Sequence, residues 1–162
     1  PITESSLGDG IFDGVTYLGA GGKWGIGSDS NIRISLSEEL RTLDYSQRLR
    51  DRSRAALATA DQSTGRVLYQ GAAAGGAQAA GRNAGSIAPG KRADLVALNT
   101  AAPDLAGRRG DTALDSLIFA GDDRLITDLW SAGRHLVQHG RHALHDSITA
   151  AYIATTTRLR SL

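Results

Sequence analysis

The stretch Lys23-Trp24-Gly25-Ile26-Gly27-Ser28-Asp29-Ser30-Asn31 decides how this chain is read. Lys23 to Ser28 reads as a short buried strand, and it runs into an acid set between two serines and followed by an asparagine. In β/α barrels, catalytic and metal-binding groups stand at this place, where a buried strand opens into a loop. Downstream, Ser35-Leu36-Ser37-Glu38 is a capping box in which Ser35 takes a helix amide and Glu38 reaches back. The helix it opens is expected to run to about Ala58, with Leu36, Leu40, Leu43 and Leu49 on the inner side. Upstream, Pro1 to Gly10 reads as a loop, and Ile11 to Ala20 suits a helix stopped by Gly21-Gly22. Helix, strand, loop acid, helix is the rhythm of a βα repeat.

Beyond the polar break at Asp61-Gln62-Ser63-Thr64-Gly65, a helix is expected from Arg66 to about Ala80. Twelve of the fifteen residues from Gly71 to Gly85 are Gly or Ala. Such composition suits either a flexible linker or a helix pressed close to a neighbour. Val67, Leu68 and Tyr69 at its start and Gly85 at its end favour the helix. The character then changes. Ile87 to Leu98 reads as a tight turn followed by a strand, and Leu125 to Trp130 and Arg134 to Gln138 as two more strands joined at Ala132-Gly133. Asp146 to Leu162 reads as a closing helix. The expected division is 1–85 as an α/β part, 86–145 as strands of a smaller layer, and 146–162 as the helix.

Composition sets limits. Eighteen basic residues against 17 acidic ones leave no field that would favour nucleic acid or an anionic membrane. No apolar run approaches the roughly 20 residues of a membrane span. The absence of cysteine fits a cytoplasmic protein without a disulfide framework. No phosphate-loop pattern and no serine-nucleophile elbow occurs.

Asp29 is the main candidate for chemistry. It can be a metal ligand that also carries a proton, or an acid that merely holds the turn before the next helix. His135, His139, His142 and His145 fall within eleven residues, yet no Cys or carboxylate joins them in a ligand pattern. A solvated hairpin and its exit account for them. Arg41, Arg48, Arg50, Arg52 and Arg54 interleave with Glu38, Glu39, Asp44 and Asp51, which reads as a salt-bridged helix face.

Gly27-Ser28-Asp29-Ser30 after its strand resembles the end of the eighth barrel strand in the amidohydrolase superfamily. Ile87-Ala88-Pro89-Gly90-Lys91-Arg92-Ala93-Asp94-Leu95-Val96 is similar to the strand by which these enzymes re-enter a small β-sandwich. Asp128 to Arg134 with Gly140-Arg141 resembles that sandwich's later hairpin. Within the superfamily, Pro1-Ile2-Thr3-Glu4, Leu7 to Phe12, Arg33-Ile34-Ser35, Glu38 to Arg41, Tyr45 to Asp51 and Ile118 to Asp122 resemble the formiminoglutamate deiminases most. Ile2 and Thr100-Ala101-Ala102-Pro103 depart from that pattern, both at the periphery.

The resemblance implies an α/β fold: the last βα units of a (β/α)8 TIM-type barrel, strands of a composite β-sandwich and a C-terminal helix. It implies a zinc enzyme releasing ammonia from a small-molecule substrate, with no nucleic-acid or membrane partner, and a homodimer when intact. Asp29 would be the metal ligand and the catalytic acid–base, passing a proton from the attacking water to the departing ammonia. Glu4, Ser30, Asn31 and Arg33 would line the substrate. The other ligands, including a His-x-His pair, would lie upstream, so these 162 residues alone are expected to be inactive, with open strand edges and exposed apolar faces. Deamination of another cyclic amidine, or a non-catalytic chain, are the alternatives.

Overall fold

The computed structural model describes residues 1–161. Helices α1 (Ile2–Leu7), α2 (Gly14–Gly19), α3 (Leu36–Asp51) and α4 (Thr64–Ala79) come first. Strand β1 (Leu95–Leu98), helix α5 (Asp111–Phe119) and a 3-10 turn at Asp123–Leu125 follow. Strands β2 (Ile126–Ser131), β3 (Arg134–Gln138) and β4 (Arg141–His142) then lead to helix α6 (His145–Arg160). The architecture is mixed α/β, and its one sheet among the described residues is antiparallel in the order β1-β2-β3-β4.

Helix α3 shows why the sequence folds as it does. The Ser35 hydroxyl accepts the Glu38 amide at 3.2 Å, as the capping box requires, but Glu38 pairs with Arg33 instead of reaching back. Leu40 and Leu43 are buried and Leu36 is partly so. Leu49, expected inside, is 81% exposed. The inner face at helical spacing continues from Leu43 to Gln47, not to Leu49. The helix stops at Arg52, whose φ of 50° is left-handed, well short of Ala58. The arginines are ion-paired only in part: Arg48 pairs with Asp44 and Arg50 with Asp13 and Asp51, while Arg41 donates to the carbonyls of Ile118 and Gly121.

Helix α4 confirms the close-packed reading of the Gly/Ala segment. The Ser63 hydroxyl accepts the Arg66 amide at 3.2 Å to start it. Asp111 and Asp115 of α5 accept the amides of Ser63 and Gly65 at 3.1 and 2.7 Å, placing two carboxylates against the helix N-terminus. One core joins Leu40, Leu43, Leu57, Leu68 and Ile118, with Trp24 and Ile26 packed on it. A second gathers Leu105, Leu117 and Leu125 beside the sheet. Helix α5 was not anticipated, though Leu114, Leu117 and Ile118 carry helical spacing.

Two other expectations change. Pro1 to Gly10 is not all loop, because α1 occupies Ile2–Leu7 and closes at Gly8 with φ 76°. Lys23 to Ser28 is not hydrogen-bonded as a strand, because no strand lies beside it among the described residues. It keeps a strand's alternation all the same. Trp24, Ile26 and Ser28 are half-buried, while Lys23, Gly25, Gly27 and Asp29 are exposed.

In the sheet, β1 pairs β2 with Val96 opposite Leu129, and a bulge falls between Ala97 and Leu98. Residues Leu129 and Val137 face each other across β2 and β3. Among the described residues the outer edge of β1 has no neighbour, and α6 buries no residue, leaving Ile148 and Tyr152 exposed. Leu162, at the end of the expected closing helix, lies outside the described residues. No helix among the described residues is long and apolar enough to cross a membrane.

Candidate active site

The segment from Lys23 delivers Asp29 into a tight turn. The Asn31 amide closes it on the Ser28 carbonyl at 3.0 Å. Asp29 and Asn31 both adopt left-handed backbone, at φ 42° and 56°, which Asp and Asn tolerate better than most residues. The Ser28 hydroxyl donates to Asn31 Oδ1 at 2.6 Å. The Asp29 side chain is exposed and has no hydrogen-bond partner among the described residues. It is an acid in a built turn whose carboxylate does not hold the turn, which weakens the purely structural reading of Asp29.

The turn is fastened by a residue that local sequence reasoning passed over. Thr3, on α1, is 5% exposed, and its hydroxyl stands 2.9 Å from Ser30 Oγ. The same oxygen lies 3.4 Å from the Ser28 carbonyl and 3.4 Å from the Ser30 amide. No feature of the sequence near Thr3 announces a contact 27 residues away.

The other expected site residues take different places. Ser30 and Asn31 belong to the Asp29 turn, but both side chains are already engaged, Ser30 by Thr3 of α1 and Asn31 by Ser28. Arg33 is exposed and pairs with Glu38 of α3. Glu4 is exposed on α1. A cavity of about 390 Å³ opens beside Glu4, Phe12, Tyr17, Lys23 and Trp24; Asp29 is not in its wall.

The histidines behave as hairpin residues. His135 stacks on Trp130 with ring centroids 4.3 Å apart, and its Nε2 lies 2.8 Å from Asp128. His139 sits in the β3–β4 turn at φ 50°. Among the described residues no three His, Cys, Asp or Glu side chains gather as metal ligands. A zinc site needs three or four donors, so Asp29 fits as one ligand and these residues do not complete the set.

An exposed carboxylate ends a half-buried extended segment and an antiparallel sheet follows it, and the chain belongs to the amidohydrolase family. The description of that family matches residues 1–136. Over 152 residues the chain is 50% identical to a formimidoylglutamate deiminase from Pseudomonas aeruginosa, covering 93% of this chain and 34% of that one. It is 31% identical over 145 residues to a 5′-deoxyadenosine deaminase from Methanothermobacter thermautotrophicus, covering 86% of this chain and 32% of that protein. Among solved structures, an amidohydrolase from Brucella melitensis superposes with a TM-score of 0.89 at 42% identity, over 98% of this chain and 35% of that one. An atrazine chlorohydrolase from Arthrobacter aurescens, solved with zinc, superposes with a TM-score of 0.75 at 27% identity, over 96% and 34% of the two chains. The chain thus spans about a third of the length of the relatives it matches.

Proposed function

We propose that this chain is the C-terminal portion of a zinc-dependent amidohydrolase that converts N-formimino-L-glutamate and water to N-formyl-L-glutamate and ammonia. The observation that carries the reading is its 50% identity, over 93% of its length, to a formimidoylglutamate deiminase. In this reading residues 1–85 end a (β/α)8 barrel whose eighth strand is Lys23 to Ser28, and 86–145 belong to a composite sandwich. The surviving alternation at Trp24, Ile26 and Ser28 supports that placement.

Bound zinc would supply Lewis-acid polarisation at the reacting carbon, with Asp29 as one of its ligands. Asp29 has an unengaged carboxylate with which to take a proton from the attacking water. It returns that proton to the nitrogen that leaves as ammonia, so one group serves as base and then as acid. Ser30 and Asn31 shape the wall beside it. Arg33 must release Glu38 to meet a substrate carboxylate, and Glu4 is exposed on α1.

The test is ammonia release by the intact protein from formiminoglutamate, 5′-deoxyadenosine and guanine, with zinc content measured on the same sample. Formiminoglutamate is expected to be the fastest substrate, with about one zinc per site. Faster turnover of 5′-deoxyadenosine, which the 31% identical relative makes the second reading, would overturn the substrate assignment. No zinc and no ammonia would leave the non-catalytic reading.

A further inference from the structure

Thr3 touches both residues that flank Asp29 and does not touch Asp29 itself. Its hydroxyl has one proton and two lone pairs, and the three contacts use all of them. It donates to the Ser28 carbonyl, 3.4 Å away, and accepts the Ser30 amide at 3.4 Å and the Ser30 hydroxyl at 2.9 Å. Two of those three bonds are long, so the short Ser30 contact carries most of the attraction. The third residue is buried while Asp29 is exposed, so the bracket works in a low dielectric beneath an open carboxylate.

The anchor is itself held. The Ile2 amide, at the start of α1, donates to Glu39 Oε2 at 3.1 Å, and Glu39 is buried on α3. Helix α3 in turn fixes the loop before α2 through Gln47. The turn needs such support. Two non-glycine residues within three positions stand at positive φ, a conformation that persists only when the surroundings hold it.

We propose that Thr3 is a positioning residue for Asp29: its hydroxyl, bracketing Ser28 and Ser30, fixes the direction in which the Asp29 carboxylate leaves the turn. The proposal rests on the reading of Asp29 as the proton-carrying ligand. It goes beyond that reading in assigning the direction of the carboxylate to a hydroxyl on a different element.

Two variants of the intact protein separate hydroxyl from methyl. Thr3→Val keeps the volume and removes the hydroxyl; Thr3→Ser keeps the hydroxyl and removes the methyl. The first readout is amide hydrogen exchange across residues 28–31, which reports the turn whether or not the substrate assignment is right. Exchange at the Asn31 amide is expected to speed up about tenfold or more in Thr3→Val and to stay near the parent rate in Thr3→Ser. The second readout is turnover. Thr3→Val is expected to lose about 10- to 100-fold in kcat with little change in KM, and Thr3→Ser to recover most of it, as for other groups that orient a ligand from behind.

Unchanged exchange in Thr3→Val would overturn the proposal, as would equal damage by both variants, which would make Thr3 a packing residue. Faster exchange in Thr3→Val with full turnover would also overturn it, because the turn would then not set the carboxylate. A parent protein inactive on every amidine would sink the proposed function and leave the exchange result to decide the bracket.

Discussion

A Cβ on Gly75 would stand 1.8 Å from the carbonyl oxygen of Trp24, so α4 and the segment that carries Asp29 meet backbone to backbone. One helical turn earlier, a Cβ on Gly71 would come within 2.8 Å of the Trp24 indole nitrogen. The small residues of α4 are therefore a packing device, and they set the depth at which the Asp29 segment lies on the helix layer. Gly75→Ala gains about 1 kcal/mol of helix propensity. Against that, the obstructing atom belongs to the backbone and cannot turn aside. The net expectation is a loss of about 1–3 kcal/mol in urea unfolding of the intact protein. An unchanged midpoint would mean that α4 can shift without cost.

Asp29→Asn keeps a side chain that tolerates positive φ and removes the charge. Because the carboxylate has no internal partner among the described residues, the melting midpoint of the zinc-free protein is expected to stay close to the parent's. Ammonia release is expected to fall by about 10²- to 10⁴-fold, the usual worth of a positioned acid–base. Retained activity would remove Asp29 from the chemistry and return it to the role of a turn residue.

The contrast between Asp29 and Thr3 shows what the sequence carries. Asp29, Ser30 and Asn31 were legible because the turn is local: polar residues in a row after an alternating segment. The helical reading of the Gly/Ala stretch was legible for a similar reason, since Val67, Leu68 and Tyr69 open it and Ser63 caps it. Thr3 was not, because its role lies in contacts made across the fold. Residues 1–10 read as a loop by composition, yet α1 forms there on tertiary support from Glu39. The strand reading of Lys23 to Ser28 kept its alternation and lost its ladder, because ladder bonds belong to pairs of strands. Leu49 lies six residues beyond Leu43, about 120° off the inner face at helical spacing, and so points to solvent.

Gln47 occupies the position that Leu49 was expected to extend, and it is fully buried. Its Oε1 accepts the Gly14 amide at 3.0 Å, and its Nε2 donates to the Phe12 carbonyl at 2.8 Å. One side chain thus satisfies the entry to α2 from below. Gln47→Leu conserves the shape and removes both bonds, leaving the Gly14 amide and the Phe12 carbonyl with only their own 2.9 Å contact. A loss of roughly 1–3 kcal/mol in chemical unfolding is expected, at about 0.5–1.5 kcal/mol for each hydrogen bond removed. A neutral substitution would show that solvent reaches Gly14 and Phe12.

Asp111 joins α5 to the start of α4, accepting the Ser63 amide at 3.1 Å and Arg66 Nε at 2.5 Å. The Ser63 amide first, and the Arg66 guanidinium after it, hold the Asp111 carboxyl below its ordinary value of 3.8. A carboxyl that titrates lower folded than unfolded adds stability above the unfolded value, and that stability fades as the pH falls through the folded one. The parent is therefore expected to be more stable than Asp111→Asn at neutral pH, with the gap constant down to about pH 5 and closing below about pH 4. Urea midpoints of the two proteins, measured across that range, check it. A gap that persists unchanged at pH 2 would mean that the link depends on the shape of the side chain and not on its charge.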